Sequence, residues 1–212
     1  MIKIRTWCFF FFVLYAALFS FSCQKEPSAL QNGDLIFQTS LSGQSRAIAL
    51  ASHSIYTHVG IIYLEKGVPY VYEAVGPVKL TPLAEWIQHG TKAHYFIKRV
   101  KNPKILSPEN LKKMRVAGEK MRSLPYDLYF EWSDTKIYCS ELVWKIYQRG
   151  AGIELAKLRP LKEYDLSHPH VQAMLKKRYG DKVPLDEPVV TPADLFRSEM
   201  LKTVVISPEK LL

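Results

Sequence analysis

Cysteine is scarce in this chain of 212 residues, which carries only three. Cys8 lies inside an apolar N-terminal stretch and Cys23 closes it, so the body of the chain holds Cys139 alone. A disulfide-stapled fold is thereby excluded. The apolar stretch, Trp7 to Phe19, is too short for a comfortable membrane span, which needs about 20 residues. Acids are in deficit, with 20 against 29 basic residues and a formal charge of +9. No nucleic-acid motif accompanies that excess. The basic residues are scattered, as in Lys112-Lys113 and Lys176-Lys177-Arg178, and acids interrupt them, which fits a solvated surface or an affinity for acidic envelope polymers and not nucleic acid. Internal repeats and low-complexity tracts are also lacking, which argues against solenoids and arrays.

What is present begins with an export signal. Lys3 and Arg5 form a positive n-region, the apolar stretch follows, and Ser20-Phe21-Ser22-Cys23 forms a small-residue processing site. It resembles a lipobox, in which the cysteine is lipidated and becomes the new N-terminus, although Phe21 is bulky for such a site. Residues 1–23 are therefore expected to be a lipoprotein-type signal peptide, with Cys23 as the lipidation site and a membrane anchor facing the periplasm. A plain secretory peptide and an uncleaved anchor are the other readings. Residues 24–32 would be a tether, and 33–212 one domain with a full core. Loss of Lys3 and Arg5 leaves 27 basic residues against 20 acidic ones, a charge of +7.

Along that domain, Gly33-Asp34-Leu35-Ile36-Phe37-Gln38 predicts a turn and a strand. Helical spacing covers Ser45 to Ser54. His58 to Tyr63 and Pro69 to Val75 are β-rich runs around the turn Glu65-Lys66-Gly67, which predicts an antiparallel hairpin. A short helix over Leu83 to His89 precedes a third strand, His94 to Val100. Ser107-Pro108-Glu109-Asn110 starts a helix that runs to Leu124, where Pro125-Tyr126-Asp127 breaks it. A helix opens at Cys139 and is stopped by Gly150 and Gly152. A further helix lies near Val171 to Arg178, and Thr191-Pro192-Ala193-Asp194 starts a last short one.

Cys139 carries the most chemistry. A thiol at a helix start sits beside free backbone N–H groups and the positive end of the dipole, which favour thiolate. A lone thiol in an oxidising compartment needs either burial or a use. In a hairpin turning at Lys66-Gly67, His58 and Glu73 can be cross-strand neighbours, and a carboxylate beside a histidine fixes its tautomer and stabilises its cation. The bland readings are a buried cysteine and a surface His–Glu pair. Tyr126 is either a helix-ending turn residue or an oxyanion donor beside the Cys139 N–H. Trp132, near the break before Cys139, is the tryptophan expected to touch substrate, whereas Trp86 and Trp144 read as apolar bulk. His53 could line the pocket but fits a helix end better. Tyr138 should turn away into the core. The direction of Glu141, in the first turn of the cysteine helix, is not fixed by the sequence. His168-Pro169-His170 invites a metal, yet no third ligand stands at a recognisable spacing, so no metal and no cofactor is assigned.

Taken together, Gly33-Asp34-Leu35-Ile36-Phe37, Thr57-His58-Val59-Gly60-Ile61, Tyr72-Glu73-Ala74, Tyr126-Asp127 and Tyr138-Cys139-Ser140-Glu141-Leu142-Val143 resemble the YiiX-like branch of the NlpC/P60 superfamily, over about Gly33 to Phe196. The resemblance implies an α+β, permuted papain-like fold, an antiparallel sheet or half-barrel packed against helices that include the one bearing Cys139. It further implies Cys139 as nucleophile, His58 as base and then acid, and Glu73 as the orienting third member. The expected activity is that of an exported thiol hydrolase cleaving an amide through a thioester. Its substrate would be a peptide or amino-acid conjugate, with cell-wall peptide (peptidoglycan) foremost. Lipid or N-acyl deacylation or acyl transfer at the membrane is the alternative within enzymes, favoured if the cleft is apolar. A non-catalytic binding module is the alternative outside them.

Overall fold

The computed structural model describes residues 30–206. Cys23, the signal segment and most of the tether lie outside the described residues. Six strands form one sheet: β1 (Leu35–Ser40), β2 (His58–Glu65), β3 (Val68–Ala74), β4 (Val78–Pro82), β5 (Gly90–Val100) and, numbered after the short β6 (Arg159–Pro160) and β7 (Pro188–Val189) pair, β8 (Leu201–Ile206). Their order is β4-β3-β2-β1-β5-β8, with every neighbouring pair antiparallel. Alternation of apolar side chains gives the sheet two buried faces. Leu35, Phe37, Val59, Ile61 and Tyr72 belong to the large core under the helices, while Ile36, Ile62, Val71 and Ile97 point the other way onto Trp86.

The helices are α1 (Gly43–Ser52), α2 (Leu83–Gln88), α3 (Pro108–Glu119), α4 (Cys139–Ala151), α5 (Pro169–Tyr179) and α6 (Pro192–Phe196). Ser107 caps α3 ahead of Pro108, and Thr191 caps α6 in a reciprocal box with Asp194. The central helix is α4, whose first nine residues are all buried. It ends at Gly152, which takes the left-handed φ of +69° that glycine tolerates. Gly150 does not stop the helix as expected. It lies inside, where α3 crosses so closely that a Cβ would meet Met114 Cα at 2.4 Å.

Expectation and structure agree on the α+β class, on the hairpin and on the helix that opens at Cys139. They differ at short elements. β4 and β8 form the two edges of the sheet and α3 stops at Glu119, five residues before Leu124, with turns completing the connection. Among the described residues no helix is long and apolar enough to cross a membrane.

Candidate active site

The β2–β3 hairpin turns at Lys66-Gly67 and pairs Ile61 with Tyr72 through Glu65 with Val68. That register continued would set Glu73 opposite Gly60, so His58 is its diagonal neighbour across the hairpin. Gly60 makes the diagonal reach possible. A Cβ there would meet Val71 Cγ1 at 2.3 Å and the Glu73 Cβ at 3.5 Å.

The reach is made. His58 Nε2 lies 2.6 Å from Glu73 Oε2, with both residues buried. Trp86 Nε1–H donates to the same oxygen at 2.8 Å and the Thr81 hydroxyl donates to Oε1 at 2.5 Å. Burial opposes ionisation of Glu73, but the donors His58, Thr81 and Trp86 hold its carboxyl below the usual range. Trp86 also stacks on the His58 ring, with centroids 5.8 Å apart. It is more than the apolar bulk read from sequence, since it fixes both members of the pair. Because a carboxylate only accepts, Nε2 carries the proton toward Glu73, which leaves Nδ1 for the other side of the ring.

The thiol of Cys139 is that other partner. It is buried, at the first residue of α4, and hydrogen-bonds the His58 side chain. Burial pushes the thiol up, but the His58 cation and the backbone N–H groups of Val59 and Ser140 outweigh it and bring the thiol below its usual value. Reciprocally, burial disfavours the His58 cation, yet its bonds to Cys139 and Glu73 carry the imidazole up from 6.5 to about 10. Both shifts run in the sense of a thiolate–imidazolium pair, the thiol lowered and the imidazole raised. Residues on either side of Cys139 fasten it. Ser140 Oγ–H donates to the Val190 carbonyl at 2.8 Å, and the Val190 N–H donates to the Tyr138 hydroxyl at 3.3 Å.

Tyr126 reaches the same point from a different direction. A parallel bridge between Tyr126 and Ile137 lays the segment beside the approach to α4, with Asp127 N–H on the Ile137 carbonyl at 3.2 Å. Buried Asp127 folds the following loop by accepting from the N–H groups of Tyr129 and Glu131 at 2.8 and 2.6 Å. Burial first, and then the charge of and hydrogen bond to Cys139, raise Tyr126 well above an ordinary phenol, so it stays a neutral O–H donor. Gln44 Nε2–H donates to its oxygen at 3.0 Å, and Arg178 holds the Gln44 carbonyl at 2.7 Å. This Arg178–Gln44–Tyr126 chain orients the phenol hydrogen toward the sulfur.

Two cavities meet here. The first is lined by Cys139 and by apolar side chains including Ile48, Phe130, Leu166, Met174 and Leu175. The second contains His58, Glu73 and Tyr126 beside Gln38, Ser40, Ser42 and Thr57. Gln44 and Ile48 belong to both walls, so the cavities adjoin there, with Cys139 lining the first and His58 the second.

Other expected site residues stand apart. Trp132 packs edge-on against Trp144 at 5.2 Å and under Lys145, and it borders neither cavity at the thiol. His53 caps α1 in the left-handed region and pairs with Asp165 at 3.2 Å, largely exposed. Glu141 turns away from the sulfur. It accepts from the Tyr138 N–H at 3.4 Å, pairs with Lys145 at 2.7 Å, and burial pushes its carboxyl up to about 7. His168 caps α5 through Nδ1, and His170 Nε2 meets the Gly43 carbonyl at 3.2 Å. Sequence reasoning missed Gln44, Thr81, Trp86 and Arg178. The local signals were weak: Thr81 and Trp86 follow Glu73 within one strand and one helix, but Gln44 and Arg178 are separated by 134 residues.

Compared with known proteins, residues 29–205 match the family described as permuted papain-like amidase enzymes, YaeF/YiiX. A protein of Escherichia coli (strain K12) named "Uncharacterized protein YiiX" is 49% identical over 174 residues, covering 82% of this chain and 85% of its own length. A crystal structure of the protein titled metalloprotein yiiX, from Escherichia coli O157:H7, superposes with a TM-score of 0.79 at 49% identity, covering 83% of this chain and 97% of that one. Among the described residues here, no group of three or more His, Cys, Asp or Glu could hold a metal ion, so the donor set does not fit a metal and no step is derived through one.

Proposed function

Given that the chain belongs to the family of permuted papain-like amidases, and so is a cysteine hydrolase of amide bonds, we propose that Cys139, His58 and Glu73 carry its chemistry. The observation that supports this most is the continuous line from the Glu73 carboxylate through the His58 ring to the Cys139 thiol, buried throughout. The thiolate adds to the amide carbonyl, and the developing oxyanion lies near the Tyr126 hydroxyl and the helix-start N–H groups. The carbon–nitrogen bond then breaks, the His58 cation passes its proton to the leaving amine, and the acyl group stays on sulfur as a thioester. Water follows, giving its proton to His58 as it displaces the thiolate and releases the carboxylic acid. Glu73 holds the tautomer and stabilises the imidazolium without itself taking the proton.

In this reading the enzyme is exported, anchored through Cys23 and meets amides of the cell envelope, either cell-wall peptide or an acylated amine. The charge of +7 after signal removal supports an acidic polymeric environment. The test is accumulation of a covalent adduct. Incubated with an activated acyl donor and quenched in acid, the wild-type protein should gain one acyl mass on Cys139, lost again at neutral pH. A Cys139→Ser protein that gains and loses acyl at the wild-type rate would overturn the assignment.

A further inference from the structure

The start of the described chain meets a basic surface, and the two share one face of the molecule. Asn32 ties the entering chain down: its side-chain oxygen accepts from the Leu64 N–H at 2.7 Å and from Arg115 Nη2 at 3.3 Å, which fixes it to β2 and α3 together. A shallow cavity lined by Leu30, Lys101, Leu111 and Lys202 adjoins another lined by Asn32, Lys112, Val116 and Lys120. Lys112, Val116 and Lys120 form one stripe of α3 at four-residue spacing, with Val116 51% exposed between the two lysines. Acids on this face are already paired. Glu65 meets Arg115, Glu109 meets Lys113 at 2.7 Å and Glu119 meets Arg122 at 3.1 Å. Lys101, Lys104, Lys112, Lys120 and Lys202 are all exposed, and no ion pair among the described residues takes any of them.

We infer that this face docks on a bilayer of anionic phospholipid, held there by these lysines. Cys23 as the lipid anchor is the reading on which this rests. Six residues separate Cys23 from Leu30. Fully extended, that stretch reaches at most about 25 Å, so the face stays close to the surface that the anchor enters. Within a Debye length of about 8 Å each lysine is drawn to anionic headgroups. An acidic polymer offers the same charge, but an anchor beside Leu30 gives it no reason to meet this face before any other.

Docking here also sets where the site lies. β1 runs from Leu35 toward Gln38, which pairs with His58, and α4 runs from Cys139 to its last turn, where Gly150 packs on Met114 of α3. Both elements hold the catalytic groups at the end away from the lysines, about 20 Å off by their rise per residue. The cleft is then turned from the bilayer toward the envelope space. The rival face is the cleft mouth, beside exposed Leu41 and Leu128. Turning that mouth to the bilayer would stretch the tether along the whole of β1.

Lysine footprinting separates these outcomes. The full-length product, with the Cys23 lipid checked by intact mass, is reconstituted in vesicles of phosphatidylcholine alone or of two parts phosphatidylcholine to one of phosphatidylglycerol. It is then acetylated with an N-hydroxysuccinimide ester, and peptide masses give the rate at each lysine. On the mixed vesicles Lys101, Lys112 and Lys202 should react about fivefold more slowly, measured against the exposed Lys92 and Lys136 at the site end. That protection should vanish in about 1 M salt, where the Debye length is ~3 Å. Lys112→Gln and Lys120→Gln should each lower the docked-to-undocked ratio about fivefold, read at Lys101 and Lys202, with Cys139 alkylation unchanged. No protection, equal protection on neutral vesicles, or protection of Lys92 and Lys136 instead would overturn the docking face and leave the anchor standing. Stronger protection of the same lysines by soluble polyglutamate than by the mixed vesicles would assign the face to an acidic polymer and overturn the membrane. If Cys23 carries no lipid, the anchored reading falls and this inference falls with it.

Discussion

Two ion pairs, each built on a buried carboxylate, stand at opposite ends of the same central strands. Just ahead of β1, Asp34 is fully buried and accepts from Arg99 Nε and Nη2 at 2.6 and 2.7 Å. Near the other end of that strand, where Gln38 pairs with His58, Glu73 is equally buried and meets His58 at 2.6 Å. They diverge in what is left over once the pair has formed. A guanidinium stays charged and has no lone pair to offer, so Asp34–Arg99 can only clamp β1 to β5. An imidazole keeps a second nitrogen, and here it addresses a thiol on a cavity wall. The cost of taking two charges out of water is common to both; one pair converts it into strand registry and the other into a poised acid and base.

Substitutions should separate the two ends cleanly. His58→Ala is expected to lower kcat by about 10⁴-fold, because the nucleophile and its base act as a unit. Its effect on stability should be the smaller of the two pairs, since Glu73 keeps its Thr81 and Trp86 donors. The linkage has a definite sign. With its pKa raised from 6.5 to about 10, His58 contributes fully below about 6.5 and loses that contribution as pH climbs through about 10, a dependence that His58→Ala should erase from urea midpoints.

Asp34→Ala should do the reverse, costing about 1–3 kcal/mol of stability by removing the buried carboxylate that accepts from Arg99 and from the Gln31 N–H, while kcat of the folded fraction stays at the wild-type level. A large loss of kcat in folded Asp34→Ala protein would dissolve the comparison. Tyr126→Phe should lower kcat by about 10²-fold with KM little changed, as expected for one lost oxyanion donor. Gln44→Ala, which releases the hydroxyl to rotate, should lose less; a larger loss than Tyr126→Phe would place Gln44 itself against the substrate. The smallest effect belongs to His53→Ala, whose exposed pair with Asp165 is worth within about 1 kcal/mol and whose removal should leave kcat unchanged.

What the sequence made legible was local. A cysteine where an apolar periodic segment begins, and two β-branched runs around Lys66-Gly67, bring their own geometry with them. His58 and Glu73 could thus be put together from a turn, and the register that pairs Ile61 with Tyr72 makes them diagonal neighbours. The edge strands β4 and β8 escaped because each is short and pairs on one side only. Gln44 and Arg178 escaped for a different reason: α1 and α5 meet through packing, and nothing in either helix marks the residue that will face the thiol. Trp86 looked like core, and it is core; only the sheet's placement of Glu73 beneath its indole N–H makes it part of the site. Trp132 was misplaced because nearness in sequence to Cys139 says little once the loop before α4 turns back onto Trp144.

The central claim is that His58 lowers the pKa of the Cys139 thiol and so favours its thiolate. The rate of Cys139 alkylation by iodoacetamide against pH, read by intact mass in wild-type and His58→Ala protein, tests it directly. The wild-type thiol should titrate below the ~8.5 of a free cysteine, and His58→Ala should move that midpoint upward, since burial then acts without its counterweight. Coincident curves for the two proteins, with a midpoint at or above that of a free cysteine, would contradict it.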